Sequence, residues 1–229
     1  MKELQTFEAN QTGTDYVVGD IHGCYSLLMK RLKEIGFNKS KDRLFSVGDL
    51  VDRGPESFNC LSLPYEPWFF AVRGNHELLM HDALNGGDVG FWLMNGGAWC
   101  AEHDMNDLRI LVNDVMERLP LAMEVKAEHG TIGIIHADVT SDQWGDFDEQ
   151  RDVWSRYRIE RATRDWRPVK GVDVVVVGHT ILPQPNRKDN VLHIDTGAFH
   201  TGNLHIMKLS EAMSEVSACL LYTSPSPRD

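Results

Sequence analysis

The sequence predicts a single α/β domain. Three observations carry that prediction. Short apolar runs rich in β-branched and aromatic residues recur along the 229-residue chain. Helical periodicity separates several of them. Each run ends in a cluster of small and polar residues. Such runs read as buried strands, and their early alternation with helices implies βαβ units.

Taken in order, Tyr16-Val17-Val18 leads into Gly19-Asp20-Ile21-His22-Gly23. Tyr25, Leu28, Leu32 and Ile35 then fall on one helical face, and Gly36 stops that helix. Leu44 to Val47 leads into Gly48-Asp49-Leu50-Val51-Asp52-Arg53-Gly54, and Trp68 to Val72 leads into Arg73-Gly74-Asn75-His76-Glu77. Residues 76–84, 91–103 and 106–118 read as helices, the last closed by Pro120. Leu121 to Ala127 and Thr131 to Ile135 read as a hairpin turning at Glu128-His129-Gly130, after which comes His136-Ala137-Asp138. Val174 to Val177 leads into Gly178-His179-Thr180, and Leu192 to Asp195 and Leu204 to Leu209 are two late strands. The domain is expected to span residues 1–209. Residues 210–229 fit no element and read either as a disordered tail or as an artefact of sequence assembly.

Composition narrows the function. Lys plus Arg number 23 and Asp plus Glu 34, so the formal charge is 23 − 34 = −11. An acidic body argues against nucleic acid as a partner, because duplex binding needs a basic face. No apolar run reaches the 18 residues of a membrane span, and residues 1–14 carry no signal-peptide core. Cys24, Cys60, Cys100 and Cys219 include no CxxC pair and read as reduced thiols, which points to the cytoplasm. A monomer is the default expectation.

The polar clusters matter because each follows the carboxyl end of a predicted strand, where ligand sites of α/β sheets collect. Asp20 and His22, two apart on extended chain, point the same way. Asp49 and Asp52 follow a second strand, Asn75 and His76 a third, and His136 and His179 two more. Carboxylate, amide and imidazole without thiolate suit manganese, iron or zinc. Six candidate ligands (Asp20, His22, Asp49, Asn75, His136 and His179) exceed one tetrahedral ion. They fit two ions about 3.5–4 Å apart sharing a carboxylate. Two divalent ions against two aspartates leave net positive charge, and Arg53 and Arg73 add to it. Such a spot traps a phosphoryl group despite the acidic background.

Three blocks together are specific where each alone is weak. Gly19–Gly23, Gly48–Gly54 and Arg73–Glu77 resemble the three signature blocks of the phosphoprotein phosphatase family, within the metallophosphoesterases, and most closely its bacterial and phage branch. Trp92-Leu93-Met94-Asn95-Gly96-Gly97, Val153-Trp154-Ser155-Arg156 and Ile194 to Ala198 match further. The resemblance implies a β-sandwich of two sheets flanked by helices. It implies Asp20 and His22 on a first metal, Asp49 as bridge, and Asn75, His136 and His179 on a second. It assigns His76 as general acid, Asp52 as the group that orients it, and Arg53, Arg73 and Arg156 as holders of phosphate. The expected reaction is phosphomonoester hydrolysis on phosphoserine or phosphothreonine proteins. A hydroxide shared by two metals, manganese first among them, attacks in line. Two alternatives stay open: a dinucleoside polyphosphate hydrolase of the same design, and a metal-binding module without turnover.

Other features draw bland readings. His81, His103, His129, His193, His200 and His205 are assigned to surface or packing. Phe91, Trp92, Trp99 and Trp144 read as core or groove walls. Asp146 to Arg167 reads as solvated helix surface, apart from Arg156.

Overall fold

A computed structural model describes residues 1–128, 130–160 and 167–213. His129, Cys219, most of the 210–229 tail and part of the Asp146 to Arg167 stretch lie outside the described residues.

The elements run β1 (Leu4–Phe7), β2 (Asp15–Val18), α1 (Tyr25–Glu34), β3 (Arg43–Ser46), α2 (Ser57–Cys60), β4 (Phe69–Ala71), α3 (Asn75–Leu84), α4 (Val89–Met94) and α5 (Met105–Arg118). Then come β5 (Ala122–Ala127), β6 (Gly130–Ile135), α6 (Glu149–Asp152), α7 (Tyr157–Glu160), β7 (Val174–Val177), β8 (Asn186–Lys188), β9 (Val191–His193), α8 (Ala198–Thr201) and β10 (Ile206–Lys208). Two sheets form, ordered β1-β5-β6-β7-β9-β8 and β10-β2-β3-β4. Within the smaller sheet β2, β3 and β4 are parallel, as the early alternation requires.

The period-two pattern of the strands builds three apolar layers. Val17 and Phe45 of one sheet, with Val72 just past β4, pack with Ile132, Ile134, Val174, Val176 and Leu192 of the other, which makes the interior of a sandwich. Their sequence neighbours Tyr16, Val18, Leu44 and Ala71 face outward onto the layer of Leu28 and Leu32 of α1, Met80 of α3 and Leu108 and Val112 of α5. On the opposite outer face, Ile135, Val175 and Val177 are covered by Trp144, Val153 and Val169. This is the helix-flanked sandwich expected.

Some elements depart from the sequence reading. The helix expected over 91–103 is broken. Asp88 caps α4 by accepting the Phe91 amide, and α4 stops at Asn95 because Gly96 adopts φ 107°. Residues 97–102 form a tighter 3-10 turn. β1 and β8 are short edge strands without burial alternation. β1 runs parallel to β5 and β8 antiparallel to β9. The Asp146 to Arg167 stretch is not all solvated surface. Arg158 is 3% exposed, donates from Nε to Asp138 at 2.8 Å and bonds to Asp142. Trp144 is buried over Gly133 and donates to Glu124 at 3.0 Å, so it belongs to the core.

Candidate active site

The functional side chains enter from the carboxyl ends of parallel strands. Asp20 and His22 follow β2; Asp49, Asp52 and Arg53 follow β3; Asn75 and His76 open α3 just past β4. His136 and His179 follow β6 and β7. All the expected metal ligands are buried. Five site residues occupy left-handed backbone: His22 (φ 42°), Asp49 (49°), Asp52 (69°), Arg53 (69°) and His179 (66°). Each non-glycine residue held there costs roughly 1–3 kcal/mol, which the surrounding sandwich must sustain. Gly178 cannot be replaced for a different reason. A Cβ there would lie 2.0 Å from Oδ1 of Asp20.

Asp49 sits at the centre. Its Oδ2 lies 3.4 Å from His22 Nε2, 3.5 Å from His136 Nε2 and 4.0 Å from His76 Nε2. Its Oδ1 accepts the His76 amide at 3.0 Å. On one side, Asn75 Oδ1, His136 Nε2 and His179 Nδ1 converge at mutual distances of 2.9, 2.9 and 3.2 Å. On the other, His22 and His76 face the same carboxylate with ligating atoms within 4.8 Å of one another. Asp20 stands beside these groups and accepts the His179 amide at 3.1 Å.

The ring nitrogens are committed in a consistent sense. Nδ1 of His22 lies 2.9 Å from Val51 O, and Nδ1 of His136 lies 2.8 Å from Val47 O. Carbonyls only accept, so both Nδ1 carry protons and both Nε2 lone pairs aim inward. Burial lowers His136 and holds His22 and His179 down at about 3, so these imidazoles stay neutral and free to ligate. Burial opposes ionisation of Asp49, but the imidazoles around it, His136 foremost, outweigh that and hold its carboxyl below the ordinary range. Burial, then the neighbouring Asp195 and Asp49, pushes Asp20 well up. Burial takes Asp195 up to about 6. Buried carboxyls crowded against inward-facing lone pairs suit cations, and the donor set without sulfur suits hard or borderline divalent ions.

His76 differs from the other histidines. Its Nδ1 lies 2.8 Å from Asp52 Oδ2, and its buried Nε2 has no hydrogen-bond partner. Burial acts to lower this imidazole, but the Asp49 and Asp52 carboxylates outweigh it and hold it above its usual value.

The arginines divide. Arg53 is exposed, donates to His22 Nε2 at 2.8 Å and has Phe199 beneath its guanidinium at 5.0 Å. Arg156 is exposed near His179, whose imidazole it helps to lower. Arg73, expected to hold phosphate, is placed differently from the other two. Its guanidinium is buried and spent on Glu149 at 2.5 Å, Lys2 O at 2.7 Å and Leu119 O at 2.8 Å. It braces the chain instead.

Sequence reasoning gave no role to Glu77, whose carboxylate accepts the amides of Asp49, Leu50 and Gly74 at 2.8–2.9 Å. The signal was present: a glutamate three places after Gly74, at the start of a helix, is the acidic half of a capping box. It also missed Asp195, and it missed Phe199, whose ring lies 5.3 Å from that of His22.

A cage of carboxylate, amide and neutral imidazole at the edge of a two-sheet sandwich defines a metal-dependent hydrolase. Comparison with known proteins narrows the class. Residues 16–183 match the calcineurin-like phosphoesterase family. The chain is 42% identical over 212 residues to serine/threonine-protein phosphatase 1 of Salmonella typhimurium, a match covering 90% of this chain and 96% of that protein. It is 32% identical over 142 residues to the symmetrical bis(5'-nucleosyl)-tetraphosphatase of Legionella pneumophila, covering 49% of this chain and 51% of that protein. Its fold resembles the crystal structure of a candidate diadenosine tetraphosphatase with a TM-score of 0.70 at 23% identity, covering 93% and 96% of the two chains. The chain belongs to the calcineurin-like phosphoesterase family and is a phosphoester hydrolase, in a family that works through paired metal ions. No helix among the described residues is long and apolar enough to cross a membrane.

Proposed function

We propose that this hydrolase is a serine/threonine protein phosphatase whose substrates are phosphorylated proteins or peptides. The observation that carries the reading is His76, anchored through Nδ1 on Asp52 with its Nε2 unpartnered and 4.0 Å from Asp49. An acid so placed serves a poor leaving group such as a serine or threonine alkoxide. The 42% identity to the Salmonella phosphatase supports it over the tetraphosphatase alternative, whose Legionella match is 32% identical.

His22, Asp49 and Asp20 would hold one ion, and Asn75, His136, His179 and Asp49 the other, with manganese the first expectation and iron or zinc next. When bound, the pair supplies Lewis acidity that activates water and neutralises phosphoryl charge. The chain's own groups do the rest. Arg53 and Arg156 grip the phosphoryl oxygens and set phosphorus in line. Arg53 stands between His22 Nε2 and the Phe199 ring, at the edge of the ligand cage. Asp52 holds the His76 ring, and Nε2 delivers its proton to the departing oxygen. Three described cysteines are free thiols, which supports a cytoplasmic site of action, and a monomer suffices because every proposed group comes from this chain.

The deciding measurement is kcat/KM on a phosphoserine peptide against diadenosine tetraphosphate, with added Mn2+. A preference for the peptide upholds the reading; a preference for the dinucleotide hands the site to the alternative. Inertness on both and on p-nitrophenyl phosphate would leave a binding module.

A further inference from the structure

Asp52 is a fully buried carboxylate surrounded by three side-chain nitrogens. His76 Nδ1 lies 2.8 Å from Oδ2. Trp99 Nε1 donates to Oδ1 at 2.8 Å, and Trp92 Nε1 donates to Oδ1 and Oδ2 at 3.0 and 3.1 Å. The two indoles meet edge to face, with centroids 5.9 Å apart and planes at 87°.

The chain between them is shaped for this meeting. It turns at Asn95-Gly96-Gly97. The Gly96 carbonyl accepts the Arg53 amide at 3.2 Å, tying the turn to the residue after Asp52. A Cβ on Gly97 would come within 2.5 Å of the Trp92 indole. Phenylalanine would fill either position without an N–H to satisfy, whereas a buried tryptophan must find an acceptor. Here two tryptophans find the same one. A carboxylate held by several donors has its plane and rotamer fixed, and so does the imidazole that leans on it.

We propose that Trp92 and Trp99 are positioning residues. Their indole N–H groups clamp Asp52, leave Oδ2 turned to His76, and thereby set the direction in which His76 Nε2 presents its proton. The clamp rests on the reading of His76 as general acid. It gives Trp92 and Trp99, read from the sequence as core or groove walls, a task in positioning His76.

The test is a double-mutant cycle between Trp99→Phe and His76→Asn on the Mn2+-activated enzyme. Trp99 is only half-buried, and phenylalanine keeps an aromatic ring against Trp92 and His103. The expected result is a fall in kcat of about tenfold on a phosphoserine peptide with KM unchanged. The loss on p-nitrophenyl phosphate, whose leaving group needs no acid, should be several times smaller. In the His76→Asn background Trp99→Phe should cost nothing further, because the group it acts through is gone. Equal losses on both substrates, or the same factor in both backgrounds, would reduce Trp99 to packing and overturn the clamp. His76→Asn alone separates the two levels. If it spares neither substrate preferentially, the acid role falls and the clamp with it. If it is selective while Trp99→Phe is not, only the clamp falls. Trp92→Phe should repeat the Trp99 pattern; should it fail to fold, the Trp99 cycle still decides.

Discussion

Glu77 accepts the backbone amide of Asp49 at 2.9 Å. The same carboxyl takes the amides of Leu50 and Gly74 at 2.8 Å each, so one side chain fastens the loop after β3 to the loop after β4. Asp49 faces both halves of the ligand cage, and its left-handed backbone is held in place by this grip. Replacing Glu77 with Gln keeps the shape but puts an NH2 where amide donors converge. Glu77→Gln should lower stability by about 1–3 kcal/mol, the cost of a buried unsatisfied donor. The loss should appear in thermal melts in excess EDTA, where no ion contributes. Unchanged melting there would mean that the carboxylate does not hold the loop.

His76→Asn tests the proton donor. Removing a general acid costs roughly 10²–10⁴-fold where the leaving group needs protonation. Turnover on a phosphoserine peptide should fall within that range, and turnover on p-nitrophenyl phosphate far less. Equal losses on the two substrates would take the acid role away from His76.

The fold and much of the cage were legible because both rest on local patterns. Continuous apolar runs marked most strands from β2 to β7; of the residues just past them, Asn75, His136 and His179 converge on one side of Asp49 and His22 faces it on the other, while Asp20 accepts the His179 amide beside them. What escaped depends on distance in the chain. No local pattern says that Trp92 and Trp99 turn their N–H groups to Asp52, forty or more places earlier. Arg73 looked like a phosphate ligand because it adjoins Asn75 and His76, yet its side chain runs the other way to Glu149, Lys2 and Leu119. β1 and β8 escaped because these short edge strands, of four and three residues, show no alternating burial. The left-handed backbone at His22, Asp49 and His179 escaped because the glycines stand beside those positions, not at them.

Two metal ions are expected from two ligand groups sharing Asp49. Titration of chelator-treated protein with Mn2+ should reach two ions per chain, and EDTA should abolish hydrolysis. Asp49→Asn should weaken both sites, whereas His136→Ala should weaken one more than the other, by 10-fold or more on the scale of about 1.4 kcal/mol per tenfold change. A stoichiometry of one in fully active enzyme would refute the paired arrangement.

Arg73 and Arg156 should behave as opposites. Arg73→Ala leaves Glu149 and two carbonyls without their partner and should cost roughly 3 kcal/mol of stability. That is the low end for a buried ion pair, because Glu149 is 34% exposed. Whatever enzyme remains folded should keep its KM. Arg156→Ala, at an exposed position, should leave the melting temperature alone and cut kcat/KM by roughly 10–100-fold through lost charge-assisted bonds to phosphate. A raised KM in folded Arg73→Ala protein would restore that residue to the phosphate site.

His193 offers a pH test away from the cage. It is 2% exposed, neither ring nitrogen has a hydrogen-bond partner, and burial, aided by Arg158 and Lys188, pulls it down to about 4. A histidine depressed in the folded state binds its proton more readily when unfolded. The wild type therefore loses stability as pH falls from about 6.5 towards 4, and this contribution is nearly absent above 7. For a shift from 6.5 to about 4 the loss between pH 7 and pH 5 is about 2 kcal/mol. His193→Phe removes the titrating group and the unpaired nitrogens. Its melting temperature should drop less than the wild type's between pH 7 and pH 5, with the two curves running parallel above pH 7. The same slope in both proteins would show that His193 already has an acidic-range partner in solution, and the acid sensitivity would have to be sought among His22, His136 and His179.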